Sequence, residues 1–192
     1  MFLHRGKKAS IWWFAVLFAG LFFTSCENDL KKIKALSEQD IKPQERTIDA
    51  EITYSDSAHV KAVVFAPLMI NHKVDTPYYE MPNGVKILFY DKDLKVINTL
   101  TSKYAITKND NSLIELYKNV VSKNQQGDVF KSEELIWNSK TQLITSSQPV
   151  QIVFANGNIS NGTNFESNQD FTRYSMNQTT GIWNVDEKAM QQ

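Results

Sequence analysis

Asp93 to Ile106 (DLKVINTLTSKYAI), Gly127 to Trp137 (GDVFKSEELIW) and Gly162 to Tyr174 (GTNFESNQDFTRY) follow one plan. Each opens on a turn, runs through alternating residues to a Ser, and enters a second run that ends near an aromatic. Ser102, Ser132 and Ser167 are spaced by 30 and 35 residues, and Tyr104, Trp137 and Tyr174 by 33 and 37. A period of this size marks a supersecondary unit that must stack on its neighbours, because one unit alone cannot bury its apolar face. The stretch from Leu94 to Tyr174 is therefore read as a β-hairpin module written more than once.

The flanking sequence continues the pattern. Ile48, Ala50, Ile52 and Tyr54 alternate with Asp49, Glu51 and Thr53, the period of a half-buried strand. Val60 to Ala66 is a second strand that Pro67 ends or marks as an edge, and residues 68–76 read as a connecting loop. Tyr78 to Met81 is a short extended piece. Pro82-Asn83-Gly84 is a turn with glycine placed for φ > 0, and Val85 to Tyr90 is strongly β-prone. Within the module, Val96 to Ile106 reads as one run, and a bulge near Asn119 separates Leu113 to Tyr117 from Val120 to Lys123. Asn156-Gly157 is a hairpin signal, Asn158 to Ser160 and Phe165 to Ser167 are short pieces, and Phe171 to Met176 is the last good strand. Many short strands with polar tips mean an all-β sandwich, jelly roll or partly open barrel.

Composition narrows the function classes. The 192-residue chain holds 21 Lys plus Arg and 21 Asp plus Glu, so no bulk charge points to nucleic acid. The single cysteine, Cys26, forbids an intramolecular disulfide framework. Charge is unevenly placed: Arg5, Lys7 and Lys8 precede an apolar run from Ile11 to Phe23, and Thr24-Ser25-Cys26 follows. That layout is a secretory signal, and Cys after Thr-Ser resembles a lipobox, although Phe23 stands where lipoboxes usually carry Leu. A spanning helix needs roughly 20 apolar residues, which this run does not reach. The expected organisation is a lipoprotein-type signal peptide or short membrane anchor over 1–25, a polar tether over 26–45, a β domain over 46–184 and a tail over 185–192. Cys26 is the expected lipidation site, and loss of the first 25 residues leaves 18 bases against 21 acids.

Catalytic chemistry finds no constellation. His59 opens a strand, His72 lies in a Lys-flanked loop, and neither has a Ser in a strained elbow. Glu133 and Glu134 are neighbours in a strand and should point to opposite faces, which prevents an acid/base pair. Asp91 and Asp93 lack the remainder of a calcium loop and read as a solvated turn. Asn158, Asn161 and Asn177 match the glycosylation acceptor pattern only weakly, in an Asn-rich region. There is no phosphate-binding glycine loop and no Cys–His zinc spacing. The chain is read as neither an enzyme nor a holder of a cofactor or metal. Several strands are instead apolar on both faces, as in Val85, Ile87 and Phe89 against Leu88 and Tyr90. Such strands are either covered twice or line an apolar groove.

From about Ile48 to Tyr174 the chain resembles the LptC family of the lipopolysaccharide export system, in a lipoprotein-like version. The resemblance rests on Ala50 to Ser57 (AEITYSDS), Val60-Lys-Ala62, Ala66-Pro67, Tyr78 to Gly84 (YYEMPNG) and Val85 to Asp91 (VKILFYD). It continues through Leu100 to Ala105 (LTSKYA), Asn119-Val-Val, Gly127, Lys131 to Trp137 (KSEELIW), Gly162, Phe165 to Asn168 (FESN) and Asp170 to Tyr174 (DFTRY). It implies an open β-jellyroll, a taco of repeated antiparallel hairpins whose V-shaped interior holds the acyl chains of lipopolysaccharide. The implied partners are lipopolysaccharide, the inner-membrane ABC transporter that supplies the energy, and a periplasmic LptA-like jellyroll that receives the lipid. Docking would be by strand addition, with the Ile48 strand toward the transporter and the Phe171 to Met176 strand toward the bridge. The implied location is the periplasmic face of the inner membrane. Attachment to the outer membrane through Cys26 is left open by the sequence. Many members carry a transmembrane helix here, so a lipidated Cys26 would tether the domain without regulating the transporter by helix insertion.

On this reading Phe65, Phe89, Leu116, Phe130, Ile152 and Phe154 are the candidate lipid-groove residues. The alternative is a surface or periplasmic β-lipoprotein that binds proteins or glycans. The two differ in whether those six side chains share one continuous cleft.

Overall fold

The computed structural model describes residues 45–108 and 110–184. The signal or anchor segment, Cys26, the tether up to Gln44 and the tail from Val185 lie outside the described residues. Twelve strands follow one another: β1 (Glu45–Asp56), β2 (His59–His72), β3 (Tyr78–Met81), β4 (Val85–Tyr90), β5 (Val96–Ser102), β6 (Tyr104–Lys108), β7 (Leu113–Asn124), β8 (Val129–Asn138), β9 (Leu143–Ser146), β10 (Val150–Val153), β11 (Ile159–Asn168) and β12 (Tyr174–Ile182). All pair antiparallel in one sheet. Among the described residues there is no helix, and none therefore long and apolar enough to cross a membrane. The fold is the open β-jellyroll expected from the sequence.

The sheet is folded along a line that crosses its long strands. The first half of β2 pairs with β4, through Ala62 to Phe65, and its second half pairs with β3, through Ile70 to His72. In β7, Val121 to Asn124 pair with β5 while Leu113 to Tyr117 pair with β6. β8 serves β10 with Val129 to Ser132 and β9 with Ile136 to Asn138. β11 serves β10 with Ile159 to Gly162 and β9 with Phe165 to Asn168. The long strands thus run through two layers, the first holding β4, β5 and β10 and the second holding β3, β6 and β9.

Local chemistry makes the crease. Left-handed backbone interrupts β1 at Asp49 (φ 51), β7 at Lys118 and Asn119 (φ 65 and 53), β11 at Asn164 (φ 49) and β12 at Gln178 (φ 50). Such residues stop a ladder and turn the chain, as β-bulges do. Pro67 stands opposite Asp49, where the ladder between β1 and β2 skips a pair. Its missing N–H is not needed there, so β2 runs through it to His72. The loop read over residues 68–76 is corrected to strand as far as His72. Conversely, the single run from Val96 to Ile106 is broken at Lys103, whose N–H donates to Lys118 O at 3.0 Å across the crease. Asn158 to Ser160 and Phe165 to Ser167 join into one strand, β11.

The serines of the repeated plan separate here. Ser102 Oγ donates to Tyr104 O at 3.0 Å and Ser132 Oγ to Pro149 O at 3.0 Å, both satisfying carbonyls freed at the crease. Ser167 lies at the far end of β11 instead and donates to Asn168 O and Arg173 O. The third unit is thus offset from the other two.

Gly84 is the tightest point of the crease. Its φ is +84, and a Cβ there would lie 2.5 Å from Ser102 O. Both features exclude a side chain. Gly84→Ala is therefore expected to lower stability in urea denaturation by more than about 1 kcal/mol, with the β signature of the circular dichroism spectrum retained in the folded state.

Candidate functional site

The two layers face each other, and their inward side chains form one apolar cluster. From the first layer come Ala62, Val64, Val85, Ile87, Phe89, Leu100, Phe130 and Ile152, and from the second Met81, Ala105, Ile114, Leu116, Leu135, Trp137, Ile144 and Phe165. Alternation within each half-strand puts these residues on one face. Aromatic pairs join the layers. Trp137 meets Phe89 edge-on at 5.0 Å and Tyr54 edge-on at 5.0 Å, and Phe130 meets Phe165 at 5.9 Å. These spacings are in the favourable range for ring pairs.

Four of the six sequence candidates, Phe89, Leu116, Phe130 and Ile152, are fully buried in this cluster. Phe154 is packed against it at its margin and stacks on Trp183 at 5.9 Å. Phe65 is elsewhere. Val64 and Ala66 on either side of it point inward, so Phe65 points out of the interior. It lines a cleft of about 380 Å³ on the crease, with Asp49, Pro67, Asn83 and Gly84. Among the aromatics at the interior, the six candidates leave out Tyr54, Trp137, Phe165 and Phe171. Trp137 was legible from its spacing of two from Leu135 in β8.

Glu133 and Glu134 require a correction. They do not point to opposite faces. Ser132 and Leu135 both face inward although they are three apart, at the point where Lys118 and Asn119 of β7 stand against the single residue Glu133, and this leaves both carboxylates outside the core. Glu133 Oε2 accepts from the Asn119 N–H at 3.3 Å and Glu134 Oε1 from Ser147 Oγ at 2.8 Å. Each carboxylate ties down backbone or side chain near the crease. His72 is also not in a loop. It ends β2, stacks on Tyr78 at 4.4 Å and contacts Glu80 Oε2 through Nε2 at 2.7 Å. His59 Nδ1 lies 2.8 Å from Ser57 O. Asp91 Oδ1 accepts from the N–H groups of Asp93 and Lys95, the solvated turn expected. Among the described residues no cluster of His, Cys, Asp and Glu could hold a metal ion.

Opposite the crease, the layers meet along a polar mouth. One cleft of about 360 Å³ is lined by Lys61, Tyr90 and Ile97 from the first layer and by Gln142, Asn168 and Arg173 from the second. A second of about 330 Å³ is lined by Tyr54, Asp56 and Lys61 against Trp137, Lys140 and Gln142. The mouth is closed by side chains: Gln142 Nε2 donates to Asp56 Oδ2 at 3.3 Å, and Asn98 Nδ2 to Gln169 O at 3.0 Å. The arrangement can enclose long apolar groups between the layers while their polar ends face the mouth.

The titration of the site is phenolic. Burial pushes the Tyr54 hydroxyl up to about 12. Burial also raises Tyr117, with further help from Glu115, whose Oε2 accepts its hydrogen bond at 2.7 Å. Tyr104 is raised by burial and by Glu80, to which it donates at 3.1 Å. The Tyr54 hydroxyl and Trp137 Nε1 are both buried without a partner among the described residues.

Tyr54 yields a prediction with a definite sign. Its phenol ionises near the ordinary value of 10 when unfolded and near 12 when folded. Between those values the unfolded state sheds a proton that the folded state keeps, so stability is full below pH 10 and falls up to about pH 12. Tyr54→Phe is expected to leave stability at pH 7 unchanged or slightly higher, because its hydroxyl has no partner to lose. It should also flatten the alkaline decline, read from urea midpoints across pH.

A family model described as lipopolysaccharide-assembly, LptC-related, matches residues 14–178. No curated protein matches the chain.

Proposed function

This chain belongs to the LptC-related lipopolysaccharide-assembly family and so has a role in lipopolysaccharide transport, and from that premise we propose that it is a non-catalytic conduit for the lipid. Acyl chains lie between the two layers, and the polar headgroup stays at the mouth. The observation that carries this reading is the continuity of the inward apolar face. It runs from Ala50 and Ala62 at one end of the sheet to Ile152 and Phe165 at the other. A chain moving along it exchanges one apolar neighbour for another, each buried CH₂ being stabilised by about 0.8 kcal/mol throughout. The path is therefore nearly level, and direction has to come from outside, from ATP hydrolysis by an inner-membrane transporter.

The sheet has two free edges, and both support docking by strand addition. β1 pairs only with β2 and β12 only with β11 among the described residues. Each edge exposes large apolar side chains, Ile48 at 76% on β1 and Ile182 at 68% on β12, with Trp183 at 58% just beyond. We assign β1 to the transporter side and β12 to an LptA-like periplasmic jellyroll. The signal segment 1–25, lipidation of Cys26 and a tether over 26–45 would hold the domain, over 46–184, at the periplasmic face of the inner membrane. Multiple acyl chains on one cysteine suffice for stable attachment.

Photoreactive residues placed in turn at Phe89, Phe130, Phe154 and Phe65 test the conduit in cells. The first three are expected to give lipopolysaccharide adducts that depend on ATP, and Phe65, on the outer side of its strand, is expected to give none. A folded, membrane-attached protein with no adduct from any interior position would turn the assignment toward a protein- or glycan-binding lipoprotein.

A further inference from the structure

Phe171 does not belong to the last strand, where the sequence pattern puts it. It sits in the turn between β11 and β12 with φ 56. For a bulky side chain this left-handed backbone is an outlier that something must hold in place. The ring is only 1% exposed, although Thr172 and Arg173 beside it are exposed. It is inserted between the layers, 4.5 Å from the Phe130 ring of the first and 5.9 Å from the Phe165 ring of the second. Tyr174 completes the enclosure, 5.6 Å from Phe130 and 6.2 Å from Phe165. A residue from a hairpin tip thus fills apolar space that neither sheet layer fills itself.

The tip is braced by its own hydrogen bonds. Asp170 Oδ1 accepts from Thr172 N–H at 3.0 Å and from Thr172 Oγ1 at 2.7 Å. Asn168 Oδ1 accepts from Arg173 N–H at 3.0 Å, and the Phe171 N–H donates to Asn168 O at 3.1 Å. These bonds lie within the tip; Asn168 also pairs with Leu143 of β9, and Ser167 Oγ donates to Arg173 O at 3.2 Å, so the base of the tip stays on the second layer. Its tether to the first layer is Asn98, which donates to Gln169 O at 3.0 Å while its own Oδ1 accepts from buried Ser122 Oγ at 2.7 Å. The closed position also leaves Gln169 Nε2 buried with no partner among the described residues. Strained backbone and an orphaned donor therefore coincide in the same tip as the inserted ring. The tip borders the cleft of about 360 Å³ lined by Lys61, Tyr90 and Ile97, which leaves room for it to withdraw.

We propose that the space filled by Phe171, among Phe130, Phe165 and Tyr174, is an acyl-chain subsite at the β12 end of the interior, and that Phe171 is its resident occupant in the empty protein. Loading a hydrocarbon chain lifts the tip over residues 169–172, pivoting on Asn168 and Arg173, exposes Gln169 to water and releases the left-handed backbone. This rests on the conduit reading. The partners of Phe171 are rings and its replacement is a saturated chain, so the exchange keeps the subsite dry.

The test uses the full chain in cells, with photoreactive residues at Phe165 and, separately, at Phe154, and lipopolysaccharide as the detected adduct. Phe171→Ala is expected to raise the Phe165 adduct at least threefold and leave the Phe154 adduct within twofold of its level. A Phe165 adduct that is unchanged, reduced or absent while the Phe154 adduct persists overturns the subsite and leaves the conduit standing. Loss of both adducts in the otherwise unaltered chain overturns the two readings together. Should Phe171→Ala fail to accumulate, Phe171→Leu keeps an apolar side chain at the position and is read by the same two adducts. A rise at Phe165 supports the subsite, and no rise overturns it.

Discussion

A single sheet can cover its own apolar face only by bending back on itself, and here the bend falls on one line through the long strands. Everything else depends on how that line is made. A regular ladder cannot turn sharply, so each long strand breaks or bulges where it crosses. Asp49, Asn119 and Asn164 are residue types that tolerate left-handed backbone, whereas Lys118 and Gln178 adopt it at a conformational disadvantage of about 1–2 kcal/mol each. The freed carbonyls need donors, and small buried hydroxyls supply them. Ser146 Oγ, for example, donates to Glu134 O at 2.8 Å and Gln148 O at 3.1 Å. A larger side chain would not fit in the corner, and an apolar one would leave those carbonyls unsatisfied.

The two long sides of the fold are consequently unlike. Along the crease the layers share covalent strands and cannot separate. Along the mouth they touch through side chains, the Tyr54–Trp137 ring contact and the bonds Gln142–Asp56 and Asn98–Gln169. Individual contacts of this sort contribute on the order of 1 kcal/mol, so opening is concentrated at the mouth and the crease acts as the hinge. The interior is filled by its own rings when empty. Any long apolar guest must therefore part the layers, and the side on which they part is fixed by which side is covalent.

The same crease explains which features were legible in the sequence. Alternation identified the all-β class and the inward residues Val85, Ile87 and Phe89, because β4 lies wholly in one layer. It found Ile152 for the same reason, and Phe130 because it lies in β8 on one side of the crease with Ser132. It failed where counting crossed the fold line. Strict alternation gives Glu133 and Glu134 opposite faces, but in β8 the inward positions step from Ser132 to Leu135 at the crease, which reverses the parity of all that follows. Pro67 reads as a strand end or an edge because proline lacks an N–H, but at a skipped ladder position none is required. Phe65 was grouped with the interior aromatics on its hydrophobicity, and its neighbours Val64 and Ala66 take the inward positions instead. Phe171 was unreadable by alternation, since its burial comes from a turn that folds back over the core.

The two free edges also differ in chemistry, which bears on the direction of transfer under the proposed reading. β1 reads ERTIDAEITYSD and carries both signs of charge along its length, with Ile48 as its exposed apolar residue. β12 reads YSMNQTTGI and carries no charge at all. Charges on an edge discourage indiscriminate pairing. A neutral edge lacks that protection, and β12 has another: its register against β11 shifts on both sides of Thr163, and Gln178 is left-handed. An incoming strand must match that irregular path to gain more than a few backbone hydrogen bonds. Under that reading one edge would select its partner by charge and the other by shape, and a neighbour suited to one would be poorly suited to the other. Two non-equivalent ends are what a conduit requires if it is to take its place between two different proteins and not stack on copies of itself.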